Sequence, residues 1–171
     1  MFSRRGEAKG GEEADRKAPR LLAPSRLHLI LWFLLALFCL RVIGQMLVAF
    51  LGVPFLPPLE EWYSGLLPYP WLLPSQFLII LLYGQACLDF TRQRGFFFTP
   101  RPSLGKPVLI FGWIYFGAMV IRYVVRMSLY PNERWFGGAI PICFHWVLAA
   151  FILLVGYYHW VQTRSKRDAE L

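Results

Sequence analysis

The sequence contains few of the residues from which catalytic, metal and disulfide sites are built. Only three of its 171 residues are cysteine and only three are histidine. The cysteines, Cys39, Cys87 and Cys143, each lie inside a different apolar stretch, and no CxxC pair is present. They are predicted to be small buried apolar side chains, and they give no indication of a redox compartment.

Charged residues are also scarce, at 16% of the chain, while hydrophobic residues make up 57%. A soluble domain carries about 25% charged residues, so this composition indicates a membrane protein. The formal net charge of +8 could suggest nucleic-acid binding. The basic residues instead bracket the apolar segments and form no continuous basic surface, which favours a topology signal and no nucleic-acid partner.

Four long apolar stretches occupy residues 27–51, 71–88, 108–125 and 140–161. A hydrocarbon core about 30 Å thick is spanned by roughly 17 to 25 helical residues. The sequence therefore predicts an all-α membrane protein with a four-transmembrane-helix bundle over residues 25–161. Residues 1–24 are predicted to be a disordered cytoplasmic basic tail, and residues 162–171 a cytoplasmic tail.

The distribution of Lys and Arg predicts the topology of the bundle. Basic residues are abundant before the first stretch, between the second and third, and after the fourth. The connection over residues 52–70 has none, and the connection over 128–139 has only Arg134. By the positive-inside rule, both termini and the middle loop are predicted to be cytoplasmic, in an integral multi-pass protein.

The first outer loop is predicted to be a proline-rich segment lying in the membrane interface. Pro58 can start a short helix, and carboxylates are favoured in the first turn of a helix, where Glu60 and Glu61 would stand. Leu59, Trp62 and Leu66 would make an apolar stripe on it. We expect an amphipathic lid over the outer end of the bundle.

The two outer loops share a pattern that indicates a tandem two-hairpin repeat. Residues 60–65 read EEWYSG and residues 133–138 read ERWFGG. Each motif follows a stretch with an arginine in its outer half, Arg41 in one case and Arg122 in the other. Because the spacings differ between the halves, two unrelated hairpins are the alternative to duplication.

Polar side chains interrupt all four apolar stretches at one predicted level. At 1.5 Å rise per residue, Arg41 and Arg122 lie about 21 Å up their helices and about 9 Å below the outer boundary. Gln45 and Arg126 follow four residues later on the same helix faces. Gln76 and His145 reach the same level on the descending helices. We call the six residues Arg41, Gln45, Gln76, Arg122, Arg126 and His145 the cationic layer.

Two interpretations of the cationic layer stay open from sequence. A charge at a helix centre costs roughly 2.5 to 3.5 kcal/mol on insertion scales, so the arginines need partners. In one interpretation they line an outward-opening site for an anionic head group, closed by the lid with Glu60 and Glu61. In the other they extend to outer phosphates or pair with loop glutamates and only fix the bundle.

The sequence therefore supports three hypotheses of function. The first is a non-enzymatic protein that binds or moves an amphipathic anion or lipid. The alternative is a structural or assembly subunit that meets other membrane subunits. The second alternative is an intramembrane lipid-modifying enzyme, with Glu60 or Glu61 and His145 as acid and base, although no nucleophile and base pair is visible.

No sequence fingerprint indicates a cofactor, so the identity of any cofactor stays unknown. His28 and His159 fall at the predicted cytoplasmic ends of the first and fourth stretches, and they would permit a bis-histidine haem site if those helices touch. Interfacial histidine is the ordinary alternative. Membrane lipids are the predicted partners in every case.

The predicted topology can be tested by cysteine labelling in a variant that lacks Cys39, Cys87 and Cys143. A membrane-impermeant maleimide should label Asn132→Cys in intact cells, because the second outer loop faces outward. Arg94→Cys, in the middle loop, should be labelled only after permeabilisation. Labelling of Arg94→Cys in intact cells would contradict the predicted orientation.

Overall fold

A computed structural model describes residues 24–58, 62, 69–130 and 139–169. These residues form helices α1 (Pro24–Leu51), α2 (Tyr69–Arg92), α3 (Pro102–Leu129) and α4 (Ala139–Ala169), with no strand among them. All four are long and apolar enough to cross a membrane, which fits a multi-pass membrane protein. The predicted N-terminal tail up to residue 23, the lid helix apart from Trp62, and the motif at 133–138 lie outside the described residues.

The helices are longer than the apolar stretches that predict them. The third begins at Pro102, ahead of the predicted start at 108, and the fourth runs to Ala169, beyond the predicted end at 161. Hydropathy detects only the part of a helix that suits hydrocarbon, whereas the backbone continues its hydrogen bonds into the polar interface. Pro102 suits a helix start because the first turn needs no intrahelical N–H.

Helices α1, α2 and α4 share one apolar core. The buried residues of α1 recur at intervals of three or four, at Leu27, Leu31, Leu35, Phe38 and Val42, which places them on one helix face. Against Leu27, Leu31 and Leu35 pack buried side chains of α2 and α4, and Phe38 and Val42 pack instead with Leu148 of α4. The first set comprises Ala86, Cys87, Phe90, Phe151, Val155 and Tyr158. The rings of Tyr83 and Phe151 stack with centroids 3.9 Å apart, which joins α2 to α4.

Glycines allow α3 and α4 to approach more closely than the other helices. A Cβ atom at Gly105 would lie 2.8 Å from the backbone nitrogen of Trp160, and one at Gly156 would lie 2.9 Å from that of Leu109. A Cβ at Gly112 would meet Leu153 at 2.8 Å. Small residues that bring two backbones into contact are a common basis for helix association in membranes.

Much of the surface of α3 faces away from the other helices. Gly105 and Gly112 are its buried residues, and α4 is its principal neighbour. Large apolar side chains such as Trp113, Ile114 and Ile121 are more than 60% exposed. In a bilayer these faces meet lipid, or another membrane protein, without an energetic penalty.

The loop between α2 and α3 is fixed by hydrogen bonds to α2 and to α4. Gln93 (φ 51°) and Gly95 (φ 116°) turn the chain back over the end of α2. The Asp89 carboxylate then accepts hydrogen bonds from the Gln85 amide and from the backbone N–H of Phe97. On the other side, the Tyr158 hydroxyl donates to the carbonyl of Phe98 at 3.0 Å.

The two hairpins proposed to be repeats are packed differently. In the second, α3 and α4 are in contact along the glycine seam, whereas α1 and α2 contact each other less extensively and α1 also contacts α4. The shared loop motifs lie mostly outside the described residues. Duplication therefore stays a prediction.

The seam can be tested by adding a single methyl group. Gly105→Ala should lower the free energy of unfolding in detergent by about 1 to 3 kcal/mol, because the new Cβ meets the backbone of α4. Gly117→Ala, on the same helix, is the matched control, since nothing lies within 4 Å of the position that its methyl group would take. Equal stability of the two variants would show that the seam is not close-packed.

Candidate functional site

Arg41 is buried inside the bundle on the core face of α1. Its side chain is only 7% exposed. The Nη2 atom donates a hydrogen bond to the carbonyl oxygen of Trp62 at 3.1 Å, and the guanidinium lies 5.9 Å from the centroid of the Phe144 ring. Its Nε atom is buried and has no hydrogen-bond partner among the described residues. Among the described residues, one backbone carbonyl and one aromatic ring contact the guanidinium, and the Nε donor has no partner.

Gln45 and Gln76 form a buried polar pair beside Arg41 along α1. The Gln76 amide donates to Oε1 of Gln45 at 3.0 Å, and the two side chains are 3% or less exposed. This leaves Nε2 of Gln45 and Oε1 of Gln76 without partners in the described part of the chain. A buried polar group left unpaired costs roughly 1 to 3 kcal/mol, so the pair is a poor stabilising device.

Trp62 covers this part of the layer from the first outer loop. Its indole lies in a notch made by Gly44, where a Cβ atom would approach the ring to 2.7 Å. The indole Nε1 donates to the carbonyl of Pro57 at 2.9 Å. The position of Trp62 is thus fixed by the contacts of its indole ring. Its backbone carbonyl accepts the hydrogen bond from Arg41.

His145 and Trp146 supply the polar groups of α4 in the layer. Nδ1 of His145 is hydrogen-bonded to the Tyr115 hydroxyl of α3. The indole of Trp146 packs edge-on against Tyr123, while its Nε1 atom is buried without a partner among the residues described.

The arginines of α3 lie at the margin of the layer. Arg122 and Arg126 are both half-buried, and both have contacts within the protein. The Arg126 guanidinium lies 5.7 Å from the centroid of the Tyr130 ring at the end of the helix. Glu60 and Glu61, predicted to close the site, lie outside the described residues.

Among the predicted residues, Gln45 and Gln76 are hydrogen-bonded to each other, and Gln45 follows Arg41 by one turn of α1. His145 is bonded to Tyr115 of α3. Sequence reasoning missed three contributors, which are the carbonyl of Trp62, the Tyr115 hydroxyl and the Trp146 indole. Tyr115 stands seven residues before Arg122, two turns along the same helix face, and this spacing is the signal that could have identified it.

The described residues do not assemble a metal site. No group of three or more His, Cys, Asp or Glu side chains within them could hold a metal ion. In the hypothetical haem pair, α1 and α4 do touch, but Nδ1 of His159 accepts the backbone N–H of Arg101 at 3.4 Å. Its Nε2 atom is buried with no partner among the described residues, and the haem pair stays a hypothesis.

Comparison with known proteins finds no matching family model, no matching curated protein and no matching solved structure. The function therefore has to be inferred from the geometry of the layer.

Replacing the glutamine pair tests whether it serves stability. Gln76→Leu should destabilise the protein by roughly 1 to 3 kcal/mol, because Oε1 of Gln45 loses its donor. The double variant Gln45→Leu with Gln76→Leu should be at least as stable as the wild type, since both unpaired groups are removed along with the bond. Unfolding in mixed micelles measures both. A double variant less stable than Gln76→Leu would show that the pair is needed for folding.

Proposed function

We propose that the protein binds or moves an amphipathic anion or anionic lipid through the cationic layer in the outer half of its bundle. The observation that carries this proposal is the buried Arg41 guanidinium, whose Nε has no partner among the described residues. Arg41 points into the bundle, as a binding site requires, and not toward lipid, where a partner subunit would meet it.

Unpaired polar atoms are concentrated in this layer. Five buried side-chain nitrogen or oxygen atoms of the described residues lack a partner, and three of them belong to Arg41, Gln45 and Gln76. Two of those three are hydrogen-bond donors. A surplus of donors beside a fixed positive charge suits the oxygens of a carboxylate or phosphate, and such charge-assisted bonds are the strong ones.

The cover over Arg41 suits a site that opens and closes. The guanidinium donates to the Trp62 carbonyl, at 3.1 Å. An anionic oxygen bonds a guanidinium more strongly than a neutral carbonyl does. A ligand that binds the Arg41 guanidinium would therefore break its hydrogen bond to the Trp62 carbonyl. The first outer loop would then be bound less tightly to α1. Glu60 and Glu61 remain the predicted carboxylates of this lid.

The predicted topology gives the layer a direction. With both termini on the cytoplasmic side, the layer opens to the outer leaflet, and a lipid head group would enter beneath the first outer loop.

Native mass spectrometry of protein extracted in mild detergent or native nanodiscs tests the proposal. The wild type should retain an anionic amphiphile, and Arg41→Gln should lose at least about 90% of it, because a charge-assisted bond worth roughly 1.5 to 3 kcal/mol is removed. Arg41→Gln with Arg122→Gln should lose the rest of the amphiphile that the cationic layer holds. Arg94→Gln, an exposed loop arginine, is the matched control and should retain the wild-type amount.

Retention by Arg41→Gln equal to the wild type, with folding unchanged, would refute the binding function. A bound species of zero net charge would refute the anionic class.

A structural or assembly subunit is the second candidate, and the exposed apolar surface of α3 favours it. This helix has α4 as its principal neighbour, and its outward side chains include Trp113 and Ile121. The same mass spectra distinguish the candidates, because a subunit would carry a stoichiometric protein partner whether or not Arg41 is replaced. The enzyme hypothesis gains no such support, since His145 is bonded to Tyr115 and its proposed carboxylates lie outside the described residues.

A further inference from the structure

A second polar site lies at the opposite end of the bundle from the cationic layer. The first turns of α3 and the last turns of α4 line a cavity of about 450 Å³. Its floor is the glycine seam at Gly105, and its walls carry Lys106, Trp160, Thr163, Arg164 and Arg167. We call this space the basic cavity. Its residues take no part in the cationic layer.

The lining of the basic cavity suits a phosphate group. Within the described part of the chain it is lined by three cations and one hydroxyl, and by no carboxylate. The Arg164 guanidinium lies 5.6 Å from the centroid of the Trp160 ring, which supports the arginine from the side. The N-terminus of α3 adds the positive end of a 28-residue helix to the same space, and that end favours anions.

The position of the basic cavity along the helices favours a lipid phosphate over a soluble phosphate. The candidate spans run over Pro102–Leu129 and Ile140–Ser165, so the lining residues stand where both helices leave the hydrocarbon. Lipid phosphates lie at this level, and aromatic side chains such as Trp160 prefer it. In the predicted topology this is the cytoplasmic leaflet, where anionic lipids attract basic residues.

We propose that the basic cavity binds the phosphate head group of an anionic phospholipid. Lys106, Arg164 and Arg167 contact the phosphate, and Trp160 packs beside the glycerol. From His145 to Arg164 is about 28 Å along α4 at 1.5 Å per residue, so the two sites cannot share one head group. The proposal therefore stands independently of the function proposed for the cationic layer.

The test compares two variants that each remove three positive charges. The cavity variant carries Lys106→Gln, Arg164→Gln and Arg167→Gln. The control variant carries Arg26→Gln, Arg92→Gln and Arg94→Gln, which are exposed cations outside the cavity on the same predicted side. Dioleoyl phosphatidylglycerol or dioleoyl phosphatidylcholine is titrated onto the full chain in mild detergent, and bound lipid is counted by native mass spectrometry.

The wild type should bind phosphatidylglycerol in preference to phosphatidylcholine. The cavity variant should weaken phosphatidylglycerol binding at least about 10-fold more than the control variant does, because charges that converge on one head group act on it together. Equal losses in the two variants would overturn the proposal in favour of general charge attraction. Circular dichroism checks that both variants remain helical, and Arg164→Lys, which keeps the charge, should bind nearly as well as the wild type.

A competition experiment separates the two sources of phosphate. Soluble glycerol phosphate at millimolar concentration should not displace phosphatidylglycerol, because the lipid is also held by its chains in the surrounding micelle. Displacement at that concentration would overturn the lipid assignment. Loss of amphiphile in Arg41→Gln, with phosphatidylglycerol binding at the basic cavity unchanged, is the result expected if both proposals hold.

Discussion

The hydrocarbon core of a bilayer offers no hydrogen bonds, and polar groups that enter it must be satisfied within the protein. The backbone meets this requirement in four long helices. Several side chains meet it by returning to a helix carbonyl, as Thr91 does to Cys87 and Ser128 does to Val124. Against this background the unpaired atoms of Arg41, Gln45 and Gln76 are conspicuous, because the same constraint makes each of them expensive.

The same medium explains why some pairs of helices pack more closely than others. Apolar side chains gain little from contacting one another in place of lipid, so helix contacts depend on close fit and on polar groups. Between α3 and α4 the fit comes from Gly105, Gly112 and Gly156. Between α1 and α2 the Gln45 to Gln76 bond and the core around Phe90 join the helices. Because α1 and α2 pack less closely, the loop that carries Trp62 can reach Arg41.

The loops secure the two ends of the bundle in different ways. At the end where α2 turns toward α3, the turn at Gly95 is tied to α2 through Asp89 and to α4 through Tyr158. At the opposite end, Trp62 lies in the notch at Gly44 and its carbonyl accepts a hydrogen bond from Arg41. The connection at Gly95 is thus bonded to two helices through several groups. The contact at Trp62 involves α1 and the neighbouring Pro57.

The sequence by itself determined that the chain is a multi-pass, helical membrane protein, and it determined the number and order of the four long helices. Apolar length is a local property, and so hydropathy alone located the four spans. The sequence alone does not show that the Asp89 carboxylate accepts hydrogen bonds from the Gln85 amide and the backbone N–H of Phe97. Those bonds depend on the turn at Gln93, which folds the loop back over the helix end.

Only the tertiary structure decided which face each helix buries. It showed that the two arginines differ in burial. Arg41 is buried and bonded to Trp62, whereas Arg122 is half-buried on α3. It also placed Lys106 beside Arg164 across the glycine seam, although these residues are far apart in the chain. The physical reason is that helix rotation and neighbour choice are set by contacts between segments. Such contacts depend on the fit of two surfaces, which no single segment contains.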